Sequence, residues 1–393
     1  MQSKQPVKIL HIITRLIIGG AQENTLYTVE GLNGLANYDV WLLTGPAEGP
    51  EGSLFIRQGK KIKIAVIPEL KRTVNPFWDL IAFIRVYDYI KKNGFTIVHT
   101  HSSKAGIIGR WAAYFSGVPI IVHTIHGLPF HPYQNNLINF LYKTLEQATA
   151  KITKKMITVS NVLIDDALIA GICPKEKFIT IYSGIELERF SRGAVDKKVL
   201  RSKLGIPHDA VVIGKIARLF HLKGHEFVLD AAEQIIKKYP DVYFLFVGEG
   251  ILKPRLIAKT RKLNIKKNII FAGLVSPDHI PNYIHIMDIV VHASLHEGLP
   301  RSVVEAFAAR KPVICFDIAG ARELLFGESA SFLVRPGDVY GLIEKIVTLI
   351  NNRLLAEDLG KRGYETVVKK FSKEKMVQDL DKLYQELLGK CGH

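Results

Sequence analysis

Short β-branched and aromatic runs recur along the chain, and stretches of helical period separate them. "KILHII" (8–13), "DVWLLT" (39–44), "KIAVI" (63–67), "IVHTH" (97–101), "IIVHTI" (120–125), "MITVS" (156–160) and "FITIY" (178–182) read as the strands of a first half. "VVIGKIA" (211–217), "YFLFVG" (243–248), "NIIFAG" (268–273), "IVVHA" (289–293), "VICF" (313–316) and "SFLV" (331–334) repeat the rhythm in a second. The runs are continuous rather than alternating, which suits parallel strands covered on both faces. Strand–helix alternation then predicts doubly wound α/β sheets. Residues 186–209 are polar and break the rhythm, so the domain link belongs there. The expected organisation is a domain over 1–190, a second over 191–370, and a terminal segment 371–393 that can cross back to the first. Within that segment "SKEKMVQDLDKLYQELL" (372–388) reads as an amphipathic helix opened by Ser372.

Composition adds core and charge to this picture. The chain has 393 residues, 48% of them hydrophobic, which is enough to fill two cores. No apolar run approaches the length of a membrane span, and "MQSKQPVKILHIIT" reads as a strand rather than a signal peptide. A cytoplasmic protein is expected. Cys173, Cys315 and Cys391 lack ligand spacing and read as reduced thiols.

The net charge is +16, and half of that excess lies between Arg57 and Arg110. Without a nucleic-acid-binding motif, the charge points away from DNA or RNA and toward an anionic membrane or phosphorylated ligands. Inside the basic segment, "NPFWDLIAFIRVYDYIKK" (75–92) is helical in period. Phe77, Leu80, Ile81, Ile84 and Tyr87 are expected on its core face. Trp78, Arg85, Tyr89 and Lys92 line a flank that suits anionic headgroups as well as it suits plain water.

The candidate chemistry falls on loops. In "HEGLPRSVVE" (296–305) seven residues separate Glu297 from Glu305. Pro300 suits a first helical turn, which places Glu297 on the loop leaving a strand and Glu305 about a turn into the helix. In "KIARLFHLKGHEF" Arg218 and Lys223 precede Gly224 and a helix. A forked donor and a point charge there suit a diphosphate, though two solvated cations would look the same. "IIGGAQE" brings Gly19 and Gly20 to a helix start, where backbone can approach a ligand or simply turn. The missing GxGxxG argues against a dehydrogenase.

Histidines are frequent near strand ends. In "HTIHGLPFH" His126 ends a strand at a cleft edge, while His123 belongs to the core. In "HTHSSKAG" Ser102 and Ser103 follow His101 at a helix start, where capping is the ordinary role. None of these has metal-ligand spacing. Asp379 and Asp381 form an Asp-x-Asp on a helix beside Lys375 and Lys382, which reads as a solvated face. No essential metal is expected.

Taken together, Arg218 and Lys223, Glu297-x7-Glu305 with the downstream "ARKPVI", and the paired glycines resemble the retaining glycosyltransferases of family GT4. The resemblance covers the whole chain. "VHTHSSKAGIIGR" and "HTIHGLPFH" are further similar to the subgroup that builds bacterial capsular, exopolysaccharide or lipid-linked oligosaccharides.

This resemblance implies the GT-B fold, two Rossmann-like doubly wound parallel-sheet domains facing across a cleft. It also implies roles. Glu305 would hold the ribose, and Glu297 the donor sugar, with the amides of Gly298 and Leu299. Arg218, Lys223 and the Gly20 amide would stabilise the diphosphate. His126 would lie beside the reacting sugar, and the base would rest near Leu274 in "GLVS" (273–276). The implied substrates are a nucleotide-sugar, UDP before GDP, and a glycan or lipid-diphosphate-linked acceptor, with no metal. Ser183 stands where the family often has Asn. A nucleotide-sugar 2-epimerase of the same fold and a non-catalytic two-lobed sugar-binding protein are the alternatives.

Overall fold

The structure is a computed structural model that describes residues 5–47, 54, 62–191 and 196–391. In chain order the first part runs β1 (Val7–Arg15), α1 (Gly20–Asn33), β2 (Tyr38–Gly45), β3 (Lys63–Val66), α2 (Pro76–Asn93), β4 (Ile97–His101), α3 (Ser103–Phe115), β5 (Ile120–Ile125), α4 (Asn136–Lys151), β6 (Lys155–Thr158), α5 (Val162–Ile169) and β7 (Phe178–Thr180). Next come α6 (Leu187–Ser191), α7 (Lys197–Lys203), β8 (Val211–Ile216), α8 (His225–Lys238), β9 (Val242–Val247), α9 (Lys253–Lys262), β10 (Ile269–Gly273) and α10 (Ile280–Ile286). The chain continues with β11 (Ile289–His292), α11 (Arg301–Ala308), β12 (Val313–Phe316), α12 (Ala319–Arg322), β13 (Leu333–Val334), α13 (Val339–Asn351) and α14 (Arg353–Lys370), and closes with α15 (Lys373–Lys390).

Two compact units result, Met1–Ile185 with Lys373–His393, and Glu186–Ser372. The first holds a seven-stranded sheet in the order β3-β2-β1-β4-β5-β6-β7, and every pairing is parallel. The second holds a six-stranded parallel sheet, β10-β9-β8-β11-β12-β13. In each sheet the strand order reverses beside the first strand. These switch points, β1/β4 and β8/β11, leave a crevice at the carboxyl ends of the strands.

Both faces of the first sheet are covered, as its apolar strands require. Ala82, Val86 and Ile90 of α2 and Ala105, Ala112 and Ala113 of α3 pack on Leu10, Ile12 and Val98. On the other face Tyr27, Val29 and Leu32 of α1 join Met376, Leu380, Leu383 and Tyr384 of α15 over Ile9, Ile13 and Ile97. The two covering helices touch at Gly31, where an added Cβ would lie 2.3 Å from Val377 Cγ2. Asp381 also leaves its expected solvated face and accepts the Tyr38 hydroxyl at 2.5 Å.

α2 corrects the expected core face. Phe77, Leu80 and Ile84 are exposed, and Tyr89 turns inward to stack on Phe95. Large apolar residues lie on more than one side of α2, so its periodicity does not choose a side. The sheet accepts the smaller Ala82/Val86/Ile90 row.

The unit therefore depends on the last 20 or so residues of the chain. Each buried large side chain is worth about 1.5–3 kcal/mol, and a domain's net stability is only about 5–15 kcal/mol. Deleting residues 373–393 removes Met376, Leu380, Leu383, Tyr384, Leu387 and Leu388 together and uncovers Ile9, Ile13 and Ile97 beneath them. Calorimetry of the deleted chain is expected to keep a transition for the second unit and lose that of the first. Two intact transitions would show that α15 is dispensable.

Candidate active site

The second unit's switch point is built from two loops that bind each other. Leu222 and Gly224, after β8, both have positive φ, 65° and 66°. A Cβ at Gly224 would lie 1.8 Å from the Ala293 carbonyl oxygen, so glycine alone lets this loop close on the end of β11. The Leu295 N–H donates to the Leu222 carbonyl at 2.8 Å and joins the two loops.

This junction brings Lys223 to Glu297. The Lys223 ammonium donates to Glu297 Oε1 in a short ion pair. The Ser294 hydroxyl donates to the same oxygen at 3.1 Å, and His292 Nε2 lies 3.7 Å from it. Burial alone would raise the pKa of Glu297, but the Lys223 charge outweighs it and holds the carboxyl at about 2. Glu297 is thus a carboxylate at neutral pH, an acceptor and never an acid. Its contacts among the described residues all use Oε1.

The rest of the loop is pressed from below. A Cβ at Gly320 of α12 would lie 2.2 Å from the Gly298 carbonyl oxygen and 3.0 Å from Leu299 Cα. Pro300 occupies the N-cap in extended conformation, one position before the first turn where it was expected. Glu305 lies one turn into α11 and accepts from Arg301 Nε at 3.0 Å.

Arg218 is set by its backbone. The His225 imidazole donates Nε2–H to its carbonyl at 2.9 Å, and its guanidinium lies 5.2 Å from the centre of the Phe220 ring. Behind it, a Cβ at Gly248 would lie 2.1 Å from Ala217 O, so "VGEG" also nests against the β8 loop. Leu274, exposed after Gly273 at the end of β10, is two strands away from β8 in the sheet order.

Arg218, Lys223, Glu297, Gly298, Leu299 and Glu305 therefore gather at one crevice of the second unit. His126 and Gly20 belong to the first. Gly20 is exposed and begins α1. His126 follows β5, and its Nε2 is 3.1 Å from His101 Nδ1. Ser102 is at the α3 N-cap, but its side chain does not cap the helix as expected. Thr14 of β1 accepts the Ala105 N–H at 3.2 Å and pairs with the Ser102 hydroxyl at 2.9 Å.

Sequence reasoning missed several neighbours, some adjacent in the chain and some brought near only by strand pairing. Ser294 and His292 surround Glu297. His11 and His99 line the first unit's switch point in register with each other. Lys215 lies within β8, fully buried, and its ammonium has no hydrogen-bond partner among the described residues. Burial and the nearby Lys223 charge push its pKa down to about 7.

That lysine sets a pH-dependent cost. Its folded pKa is below the ordinary 10.5, so the cost is full below about 7 and vanishes as pH rises toward 10.5. Lys215→Met is expected to stabilise the protein at pH 7 by about 1–3 kcal/mol. The gain should shrink by pH 10. Thermal melts of both proteins at the two pH values check this, and a variant less stable at pH 7 would contradict it.

Known proteins share this architecture. Residues 196–366 match the family described as glycosyl transferases group 1, and residues 18–189 match Glycosyltransferase Family 4. The chain is 30% identical over 392 residues to the UDP-Gal:alpha-D-GlcNAc-diphosphoundecaprenol alpha-1,3-galactosyltransferase of Escherichia coli, spanning 97% of each. It is 27% identical over 344 residues to the capsular polysaccharide biosynthesis glycosyltransferase CapM of Staphylococcus aureus, covering 84% of this chain and 88% of that one. Among solved structures, Anabaena HepE in complex with UDP and glucose superposes with a TM-score of 0.82 at 21% identity, over 97% of this chain and 100% of that one.

Proposed function

Because the chain belongs to glycosyltransferase family 4, with the GT-B fold, we propose that it moves a hexose or N-acetylhexosamine, with retention, from a UDP-sugar to a glycan or lipid-diphosphate-linked acceptor of bacterial surface polysaccharide synthesis. The observation that carries this reading is the Lys223–Glu297 pair at the β8/β11 crevice. It holds a cation and a permanent acceptor side by side. A nucleotide-sugar presents the complement, a diphosphate next to a polyol.

The residues divide the work. Glu297 Oε2 accepts from sugar hydroxyls, assisted by the Gly298 and Leu299 amides. Glu305 accepts from the ribose, and the base rests near Leu274. Lys223, Arg218 and the Gly20 amide stabilise charge on the departing phosphate. The bond from the anomeric carbon to the phosphate oxygen breaks as the acceptor oxygen bonds the same face. The acceptor's proton passes to the leaving phosphate oxygen, so no enzymic base is needed. His126 polarises a hydroxyl of the reacting sugar. Catalysis then rests on positioning and preorganised charge.

The acceptor side favours a membrane surface. α2 exposes Phe77, Trp78, Leu80 and Ile84, and α4 exposes Leu137, Ile138, Phe140 and Leu141. α3 packs against both and adds exposed Tyr114 and Phe115. Phe77, Leu137 and Phe140 are 66%, 74% and 67% accessible, which core packing does not explain. Exposed Arg72, Arg85, Lys91 and Lys92 accompany them. An apolar surface flanked by cations suits peripheral binding to the inner leaflet. No described helix is long and apolar enough to cross a membrane. Part of the basic segment does not contribute, because Arg110 is buried against Glu146 at 2.7 Å and Lys104 pairs with Asp79. Arg57, Lys60 and Lys61 lie outside the described residues.

Three experiments test the reading. In a thermal-shift panel without metal, UDP at about 100 times its dissociation constant is expected to add about 2.7 kcal/mol, with GDP, ADP, CDP and NAD inactive. Lys223→Ala should then lower turnover roughly 100-fold. A shift with NAD alone, or normal turnover in the variant, would refute the donor site. Vesicle co-sedimentation should show salt-sensitive binding to anionic lipid, weakened about tenfold by Phe77→Glu with Phe140→Glu. Equal binding to neutral vesicles would remove the membrane part.

A further inference from the structure

The first unit's crevice contains a continuous file of side chains, of which the roles above use only the last, His126. His11 faces His99 across the β1/β4 pairing, and His101 faces Thr124 across β4/β5. Positions 99 and 101 project to one face of the strand, the face that α15 covers. His11, His99 and His101 are buried there. Their rings stack, with centroids 4.3 Å apart for His99 and His101 and 5.2 Å for His11 and His101.

Hydrogen bonds run through every ring. Thr124 Oγ1 is 2.7 Å from His99 Nε2, and His99 Nδ1 is 2.6 Å from the Tyr384 hydroxyl. The same hydroxyl is 3.5 Å from His11 Nε2. His11 Nδ1 is 2.9 Å from His101 Nε2, and His101 Nδ1 is 3.1 Å from His126 Nε2. His126 ends the file, and its Nδ1 is the one nitrogen outside it.

A neutral imidazole has one N–H and one lone pair, so each ring passes on the polarity that it receives. If the Tyr384 hydroxyl donates to His99, then His11 donates to Tyr384, His101 to His11 and His126 to His101. His126 Nδ1 is then a lone pair. If Thr124 donates instead, every bond reverses and His126 Nδ1 carries the hydrogen. Burial keeps the rings neutral, with His11 at about 3, His126 at about 4, and His99 and His101 well below the ordinary value. His123, on the opposite face, bonds Thr100 at 2.8 Å and is near the Arg110–Glu146 pair; it is not part of the file.

We propose that His11, His99, His101 and Tyr384 are positioning residues that fix the tautomer of His126. The terminal helix α15, through one hydroxyl, thereby sets whether His126 Nδ1 offers a hydrogen or a lone pair to the reacting sugar. This rests on the reading that His126 lies beside that sugar.

Tyr384→Phe tests it, since the change removes one oxygen and keeps the ring. Its kcat should fall about tenfold with KM for the UDP-sugar unchanged. In a His126→Ala background the same substitution should have no further effect, because nothing remains for the file to orient. Imidazole 15N shifts should show one His126 tautomer in the wild type and a mixture in Tyr384→Phe, a reading independent of activity. If Tyr384→Phe does not fold, Thr124→Val breaks the far end at equal volume and should shift the same signals.

Normal kcat in Tyr384→Phe, or losses that multiply in the double variant, would overturn the proposal. An unmixed tautomer in Tyr384→Phe would overturn the file itself. A full rate in His126→Ala would instead sink the reading of His126, and the positioning role with it. The nitrogens of His11, His99 and His101 lie within 4.8 Å of one another, close enough to share an ion. Stoichiometric zinc retained by the wild type after dialysis would therefore also overturn the hydrogen-bonded file.

Discussion

A parallel sheet must be covered on both faces, and the rest of this structure follows from that constraint. Continuous apolar strands cannot leave a side in water, so helices from distant parts of the chain are recruited to each face. In the first unit the helix between β1 and β2 is not enough, and α15 returns from the other end of the sequence. The same winding opens a crevice where the strand order reverses. Polar chemistry collects at that crevice in each unit, mainly on the loops in the second and within β1 and β4 in the first.

Within the second unit, one close approach sets the chemistry. Gly224 lets the β8 loop reach Ala293, and that junction brings Lys223 to Glu297. The pair is partly buried, so its attraction is screened less than that of a surface pair. It also costs desolvation, which Ser294 offsets with a second hydrogen bond. What the arrangement provides is orientation: the cation and the carboxylate need not search for each other or for a ligand.

The strands were legible because their short apolar runs are continuous and bounded by turn residues. Glu297 and Glu305 were legible because their spacing across a strand–loop–helix unit has little structural use. The buried row of α2 was not, since large apolar residues lie on more than one side of this helix and only the sheet chooses. Lys215, His11 and His99 were invisible for another reason. A lysine or a histidine inside a strand looks like any alternate position until the neighbouring strand is known. His11 and His99 are 88 residues apart in sequence and directly opposed in the sheet. Thr14 capping α3 in place of Ser102 is a further contact of this long-range kind.

The return of α15 also orders events in time. Asn24 donates to the sulfur of Met376 across 352 residues of chain. During synthesis the second unit is complete before that sulfur exists. At about 5–20 residues per second, the roughly 190 residues between the two parts of the first unit take some 10–40 s to appear. Throughout that interval the strands of the first sheet have one face without its final cover. The first unit thus finishes folding after the second, and a chaperone or the ribosome surface has that long to engage Ile9, Ile13 and their neighbours.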